Sequence, residues 1–186
     1  MINPIIGNKF LFATAALLGS VLAVTGCQKS HPDEKSAVNQ ALSSSNYSSL
    51  DVSQDRDKGV MTLKGDVASS DDKARAGDLA KQAAPDYTIA NEIGVRPPDA
   101  TNAGSVASNL DSAIEDNFKA AIKGRKNLDD QSISGSAKNG TLVIKGSVKT
   151  AQQKKEANDL AKKVPNVQQV VNEIDVKPDK HSTPSS

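Results

Sequence analysis

Residues 59–82, G-V-M-T-L-K-G-D-V-A-S-S-D-D-K-A-R-A-G-D-L-A-K-Q, return as residues 140–163, G-T-L-V-I-K-G-S-V-K-T-A-Q-Q-K-K-E-A-N-D-L-A-K-K. At an offset of 81 (140 − 59), ten of the 24 positions are identical, and substitutions such as Leu63 to Ile144 keep the residue class. Asn91-Glu92-Ile93-Gly94-Val95 recurs as Asn172-Glu173-Ile174-Asp175-Val176 at the same offset, after compensating one-residue shifts around Pro85 and Pro165. A whole module has been copied, and the fold of one copy predicts that of the other.

Each copy opens on an amphipathic helix. In the second, Leu110, Ala113, Ile114, Phe118, Ala121 and Ile122 form an apolar stripe, with Lys119 and Lys123 pointing away. Ala37, Val38, Ala41 and Leu42 are the shorter counterpart. A hairpin follows, with Ile133 on one arm, Lys138-Asn139-Gly140 as its turn and Thr141 to Val148 as its second arm. Asn-Gly suits a type I′ turn because both central residues take positive φ. Asp57-Lys58-Gly59 occupies the turn of the first copy.

Thr150 with Gln153, and Ser69 with Asp72, have the spacing of a capping box at the start of a second helix. Its buried stripe is Ala157, Leu160, Ala161 and Val164, mirrored by Ala76, Leu79, Ala80 and Ala83, and Pro165 or Pro85 ends it. A last strand, Val170 to Val176, places Val170, Asn172, Ile174 and Val176 on one face. The predicted fold is α+β: two tandem αββαβ modules, each a three-stranded sheet with two helices on one face. Gly65 and Gly146 read as structural glycines, marking a bulge or a close backbone approach, since neither stands in a phosphate-cradling motif.

Lys9, the apolar run Phe10 to Leu22 and Ala23-Val24-Thr25-Gly26-Cys27 have the layout of an export signal. Val24-Thr25-Gly26-Cys27 resembles the bacterial lipobox, in which the cysteine is joined to diacylglycerol and becomes the acylated N-terminus. The alternative is an uncleaved anchor, but the run falls short of the ~20 apolar residues a span needs. Cys27 is also the one cysteine in the chain. Several acyl chains, at ~0.8 kcal/mol per buried methylene, hold a protein on a membrane where one gives only reversible binding. Gln28, rather than Asp, after Cys27 resembles the outer-membrane sorting choice in a Gram-negative host.

The expected organisation is residues 1–26 signal peptide, 27–33 tether, 34–97 module 1, 98–105 linker, 106–178 module 2 and 179–186 disordered tail. Modules of this size have marginal cores unless a neighbour supports them. Removal of Lys9 with the signal leaves 22 basic and 22 acidic residues (23 − 1 and 22), so net charge names no partner. The two copies differ: 34–97 carries 8 basic and 10 acidic residues, 106–178 carries 12 and 9.

The αββαβ order, the doubled Leu63-Lys64-Gly65-Asp66-Val67 and Ile144-Lys145-Gly146-Ser147-Val148, and the closing Asn-Glu-Ile-x-Val resemble the BON family of small bacterial envelope domains. The arrangement is similar to dual-BON outer-membrane lipoproteins that support envelope integrity under osmotic or detergent stress. The resemblance implies a non-enzyme, lipid-anchored to the outer membrane on its periplasmic face, with phospholipid surfaces or envelope proteins as partners. One specific expectation is phospholipid binding. An alternative is a protein-interaction adaptor that scaffolds envelope assembly machinery.

The side chains agree with a non-catalytic role. His31 and His181 fall in the tether and tail, away from any geometry a general base requires. Lipid consumes Cys27, which removes thiol and thiolate-metal chemistry, so neither a metal nor a cofactor is expected. Asp55/Asp57, Asp71/Asp72 and Asp129/Asp130 read as solvated turns and helix starts. Tyr47, Tyr87 and Phe118 make no stacking platform, so nucleic acid is not a partner. Lys119, Lys123, Arg125 and Lys126 remain as a candidate lipid-facing basic patch, near Lys149, Lys154, Lys155, Lys162 and Lys163. They read either as an ordinary solvated helix face or as a surface for anionic headgroups.

Overall fold

The computed structural model describes residues 30–96 and 101–178. The signal segment, Cys27 and residues 179–186 lie outside the described residues. The first copy comprises α1 (Lys35–Ser44), β1 (Asp51–Asp55), β2 (Val60–Lys64), β3 (Asp66–Val67), α2 (Ser70–Ala83), β4 (Thr88–Asn91) and β5 (Gly94–Val95). The second comprises α3 (Ala103–Lys123), α4 (Lys126–Asp129), β6 (Ser132–Lys138), β7 (Thr141–Val148), α5 (Ala151–Ala161) and β8 (Gln169–Val176). Both follow the αββαβ order. The sheets run β1-β2-β4 and β6-β7-β8, with an antiparallel hairpin on one side of the central strand and a parallel partner on the other. In the first copy the ladder breaks at Gly65, and β3 pairs with β5 as a short separate extension.

Local chemistry explains the joints. Asn139 and Gly140 both have positive φ, 48° and 79°, and form the two-residue turn between β6 and β7. The first copy turns over Arg56–Gly59, where the Asp55 carboxylate accepts from the Asp57 and Lys58 amides at 3.0 and 2.9 Å. Thr150 and Gln153 form a complete capping box, and the Ser69 hydroxyl accepts from the Asp72 amide at 3.1 Å. Ser69 also donates to the Asp72 carboxylate, as does Tyr47. Those bonds, the Ser69 one foremost, hold Asp72 below the usual carboxylate range.

The repeated Asn-Glu-Ile segment serves the same purpose twice. Asn91 donates its side-chain amide to the Lys73 carbonyl at 2.8 Å, and Asn172 to the Lys154 carbonyl at 3.4 Å, tying each last strand to the first turn of the second helix. Glu92 pairs with Lys64 at 3.7 Å and Glu173 with Lys145 at 3.4 Å, at matching positions on the sheet face away from the helices.

Each module has its own core between helices and sheet. Leu42, Met61, Leu63, Tyr87 and Ile93 fill the first, while Ile114, Phe118, Leu128, Leu142, Ile144 and Ile174 fill the second. A third cluster joins the two: Val60 and Ala90 on the outer face of one sheet meet Val143 and Val171 on the outer face of the other. The modules therefore stand back to back. At about 25 cal/mol per Å² of apolar surface removed from water, even a small seam steadies domains of this size.

Four details differ from the sequence reading. Helix α3 starts at Ala103, inside the segment 98–105 read as linker, because it packs at the junction: a side chain at Gly104 would run into the Arg96 guanidinium. Its buried line is Asp111, Ile114, Phe118 and Ile122, whereas Ala113 is exposed and Leu110 is 42% exposed, since the first turns overhang the core. The loop after α3 contains a turn of helix that buries Leu128 completely. The tether is packed from His31 onward, as described below.

Candidate functional site

The sequence-predicted basic group sits on one corner of the second module. Because Ile114, Phe118 and Ile122 take the buried face of α3, Lys119 and Lys123 stand on the exposed face, and the chain then turns through Arg125 and Lys126 into α4. All four are exposed. Arg125 approaches Glu156 at 3.9 Å, and among the described residues Lys119, Lys123 and Lys126 pair with no carboxylate. The corner is stitched to α5 by Gln153, which donates to the Asn127 carbonyl at 2.7 Å, and by Asn127, which donates to Glu156 at 2.6 Å. Lys149, at the end of β7, lies at this same end of the module, its amide bonded to Gln153. Farther along α5, Lys155 is engaged by Asp159 at 2.7 Å, which raises the lysine pKa and lowers that of the aspartate. Such exposed pairs add little to stability.

Gly65 and Gly146 have φ of 120° and 126°, in the region that favours glycine. A side chain at Gly65 would meet Leu50 Cδ2 at 2.9 Å; at Gly146 it would overlap the Ser132 backbone carbonyl. Both sit where the neighbouring strand's chain passes close.

The junction holds residues that sequence patterning did not single out. Asp111, 7% exposed, accepts from the Asn139 and Gly140 amides at 2.8 and 3.0 Å, so one carboxylate holds the hairpin turn. Lys73 of the first module donates to the Asn139 carbonyl at 2.8 Å. Burial lowers the Lys73 pKa, and the Asp111 charge draws it part of the way back. The Gln169 side chain accepts from the Asn91 amide at 3.0 Å and donates to the Ile89 carbonyl, acting like one more rung beside β4. Thr141 donates to the Asn91 carbonyl at 2.6 Å, and the Asn139 side chain to the Glu92 carbonyl at 2.7 Å.

At the other end of the seam Lys58 pairs with Asp175, and that hydrogen bond holds the aspartate below its usual range. Lys58 and Asn139 are equivalent by the offset (139 − 58 = 81), and so are Gly94 and Asp175 (175 − 94 = 81). Asn139 lies beside Gly94 as Lys58 lies beside Asp175. The copies are thus related by an approximate two-fold axis through the seam, with the hairpin turn of each at the strand-exit end of the other.

Several hollows open on this junction. One, of about 560 Å³, lies between α2 and the overhanging start of α3, lined by Lys73, Ile93, Val95, Leu110, Asp111 and Val167. Val106, 55% exposed, and Leu110 are the large apolar side chains left exposed on that helix. A second, of about 500 Å³, brings together Lys64, Arg96, Lys138 and Lys145 with Asp66 and Glu92. Its charges are mostly matched, Arg96 with Asp66 at 2.6 Å and the two Lys–Glu pairs already described. Among the described residues no group of three or more His, Cys, Asp or Glu side chains is arranged to hold a metal ion. No helix among them is long and apolar enough to cross a membrane.

A family model described as BON domain matches residues 34–97 and again residues 110–178. No curated protein matches the chain. Among solved structures, CdsD, a structural protein of the type III secretion system of Chlamydia trachomatis, aligns at 11% identity over 80% of this chain and 94% of that one, with a TM-score of 0.34. The C-terminal domain of CdsD aligns at 16% identity over 76% and 63% of the two chains, with a TM-score of 0.27. Neither superposition is close enough to bear on function.

Proposed function

Because the chain belongs to the BON domain family, whose members are envelope-associated proteins of phospholipid-binding type, we propose that it is an envelope lipoprotein that supports envelope integrity under osmotic stress by binding anionic phospholipid. Acylated Cys27 anchors it to the periplasmic face of the outer membrane. The observation that supports lipid contact is the exposed corner of Lys119, Lys123, Arg125 and Lys126, three of whose four cations lack a carboxylate partner among the described residues. Each Lys or Arg near an anionic bilayer contributes about 1 kcal/mol. The first module, with two more acids than bases (10 − 8), stabilises the second across the seam.

Anchoring is tested by expressing Cys27→Ala and fractionating the cells. The protein is expected in the soluble periplasmic fraction; membrane association as tight as that of the parent would overturn the anchor.

A second reading, an adaptor that scaffolds envelope assembly machinery, draws on Val106 and Leu110, which leave an apolar rim beside the junction hollow. A chain beginning at Gln28 separates the two, since every buried core residue named above lies downstream of it. Binding to anionic but not neutral vesicles supports lipid contact. Binding to neither leaves the anchor as the sole attachment and favours the adaptor.

A further inference from the structure

Residues 31–35 are held against the first module by contacts from several directions. The His31 amide donates to the Arg56 carbonyl at 2.9 Å, and Arg56 Nε donates back to the His31 carbonyl at 2.8 Å. His31 Nδ1 lies 3.0 Å from the same Arg56 carbonyl, and its ring packs against Tyr87 with centroids 5.3 Å apart. That ring also occupies the space a side chain at Gly59 would need. The Pro32 carbonyl accepts from Tyr87 Oη at 2.6 Å and from the Gln54 amide at 2.9 Å, and the Lys35 amide donates to the Gln54 side chain at 3.1 Å. A slack tether would make none of these bonds.

The chain therefore enters the fold beside the Arg56–Gly59 turn. Lys58 in that turn pairs with Asp175, which stands opposite Ser147 near the end of β7. The same end of the second module carries the α3 terminus, α4 and the start of α5, and so Lys123, Arg125 and Lys126. The entry point and the basic corner share one end of the molecule. His31 is four residues from Cys27, and at 3.3–3.6 Å per residue the connecting chain spans no more than about 14 Å.

We propose that residues 31–35 are a clamp that orients the protein on its membrane, so that the Arg56–Gly59 turn and the Lys123–Lys126 corner together form the bilayer-facing surface. This rests on the reading that Cys27 is acylated. The opposite end, at Lys138 and Asn139, is then held off: Asp175 pairs with Ser147, six residues along β7 from Thr141, a separation of about 20 Å at the rise of a strand. The clamp converts an anchor that only limits distance into one that also fixes which face meets the lipid.

Cys27 is the one cysteine, so in the acylated full chain an introduced cysteine is the one free thiol. Asp57→Cys and Lys138→Cys, each fluorescently labelled, are reconstituted into vesicles containing a headgroup quencher. Quenching is expected to be several-fold stronger at position 57 than at 138. That difference should disappear in His31→Ala/Arg56→Ala, whose replaced residues lie outside both cores, while vesicle attachment and circular dichroism stay unchanged. Equal quenching at the two positions in attached parent protein would overturn the clamp, as would a difference that survives the double substitution. Failure of the parent to attach would instead refute acylation, a separate outcome.

Discussion

Ala90 and Val171 occupy the same position in the two copies, 81 residues apart (171 − 90), and lie in one buried cluster with Val60 and Val143. A duplicated module has met its own copy through the face that its helices leave bare. The outer face of each sheet thus serves as an internal interface, and the two marginal cores are coupled.

The coupling predicts that Val171→Asp separates the modules without unfolding them. An unpaired carboxylate in the seam is strongly disfavoured, while the helix-side cores keep all their residues. The parent is expected to unfold in one calorimetric transition and the variant in two, with native far-ultraviolet circular dichroism at low temperature. A single, unshifted transition in the variant would show that the seam does not couple them.

The two repeat glycines should differ in what they tolerate. Alanine at either carries the strain of positive φ, about 1–3 kcal/mol. At Gly65 the new methyl meets the end of the Leu50 side chain, which can shift; at Gly146 it meets the Ser132 backbone. Urea unfolding should therefore show a clearly larger loss for Gly146→Ala than for Gly65→Ala, and equal losses would contradict the geometry.

Asp111 is expected to be the most sensitive polar residue at the junction. Asp111→Ala leaves the Asn139 and Gly140 amides without their acceptor, a loss of about 2–4 kcal/mol for two charge-assisted bonds. Asp111→Asn retains an acceptor and should lose less. Both should lower the Lys73 pKa further, because the charge opposing its desolvation is gone, and this can be followed by NMR titration of the Lys73 side chain. An unmoved Lys73 titration would mean that the two residues are not coupled.

Much of the fold was legible because its signals are local. The Asn139-Gly140 turn, the Thr150/Gln153 box and the Ala157/Ala161 stripe each depend on residues within one turn or one element, and each appears where the pattern put it. The seam left a fainter signal: Leu142-Val143-Ile144 is continuously apolar rather than alternating, the mark of a strand buried on both faces. The seam role of Val171 is masked in the sequence because Val170, Ile174 and Val176 complete a simple alternation on the other face of the strand. Lys73, Asp111 and the His31–Arg56 contacts were not legible, since each joins residues more than 20 positions apart whose types are ordinary for a surface. The exposure of Lys119 and Lys123 was legible from the Ile114, Phe118 and Ile122 stripe opposite them, whereas the turn that carries Arg125 and Lys126 into α4 was not, since it is set by the burial of Leu128.

The central claim, that this corner meets anionic lipid, is tested most directly by reversing it. The chain from Gln28 and its Lys119→Glu/Lys123→Glu/Lys126→Glu variant are co-sedimented with anionic and neutral vesicles at low and high salt. At about 1 kcal/mol per cation, loss of three should weaken binding about a hundredfold. The parent should pellet with anionic vesicles and release as salt shortens the screening length. The variant, with unchanged circular dichroism, should pellet no better with anionic than with neutral vesicles at either salt. A folded variant that still pellets like the parent would contradict the account and return these lysines to a solvated helix face.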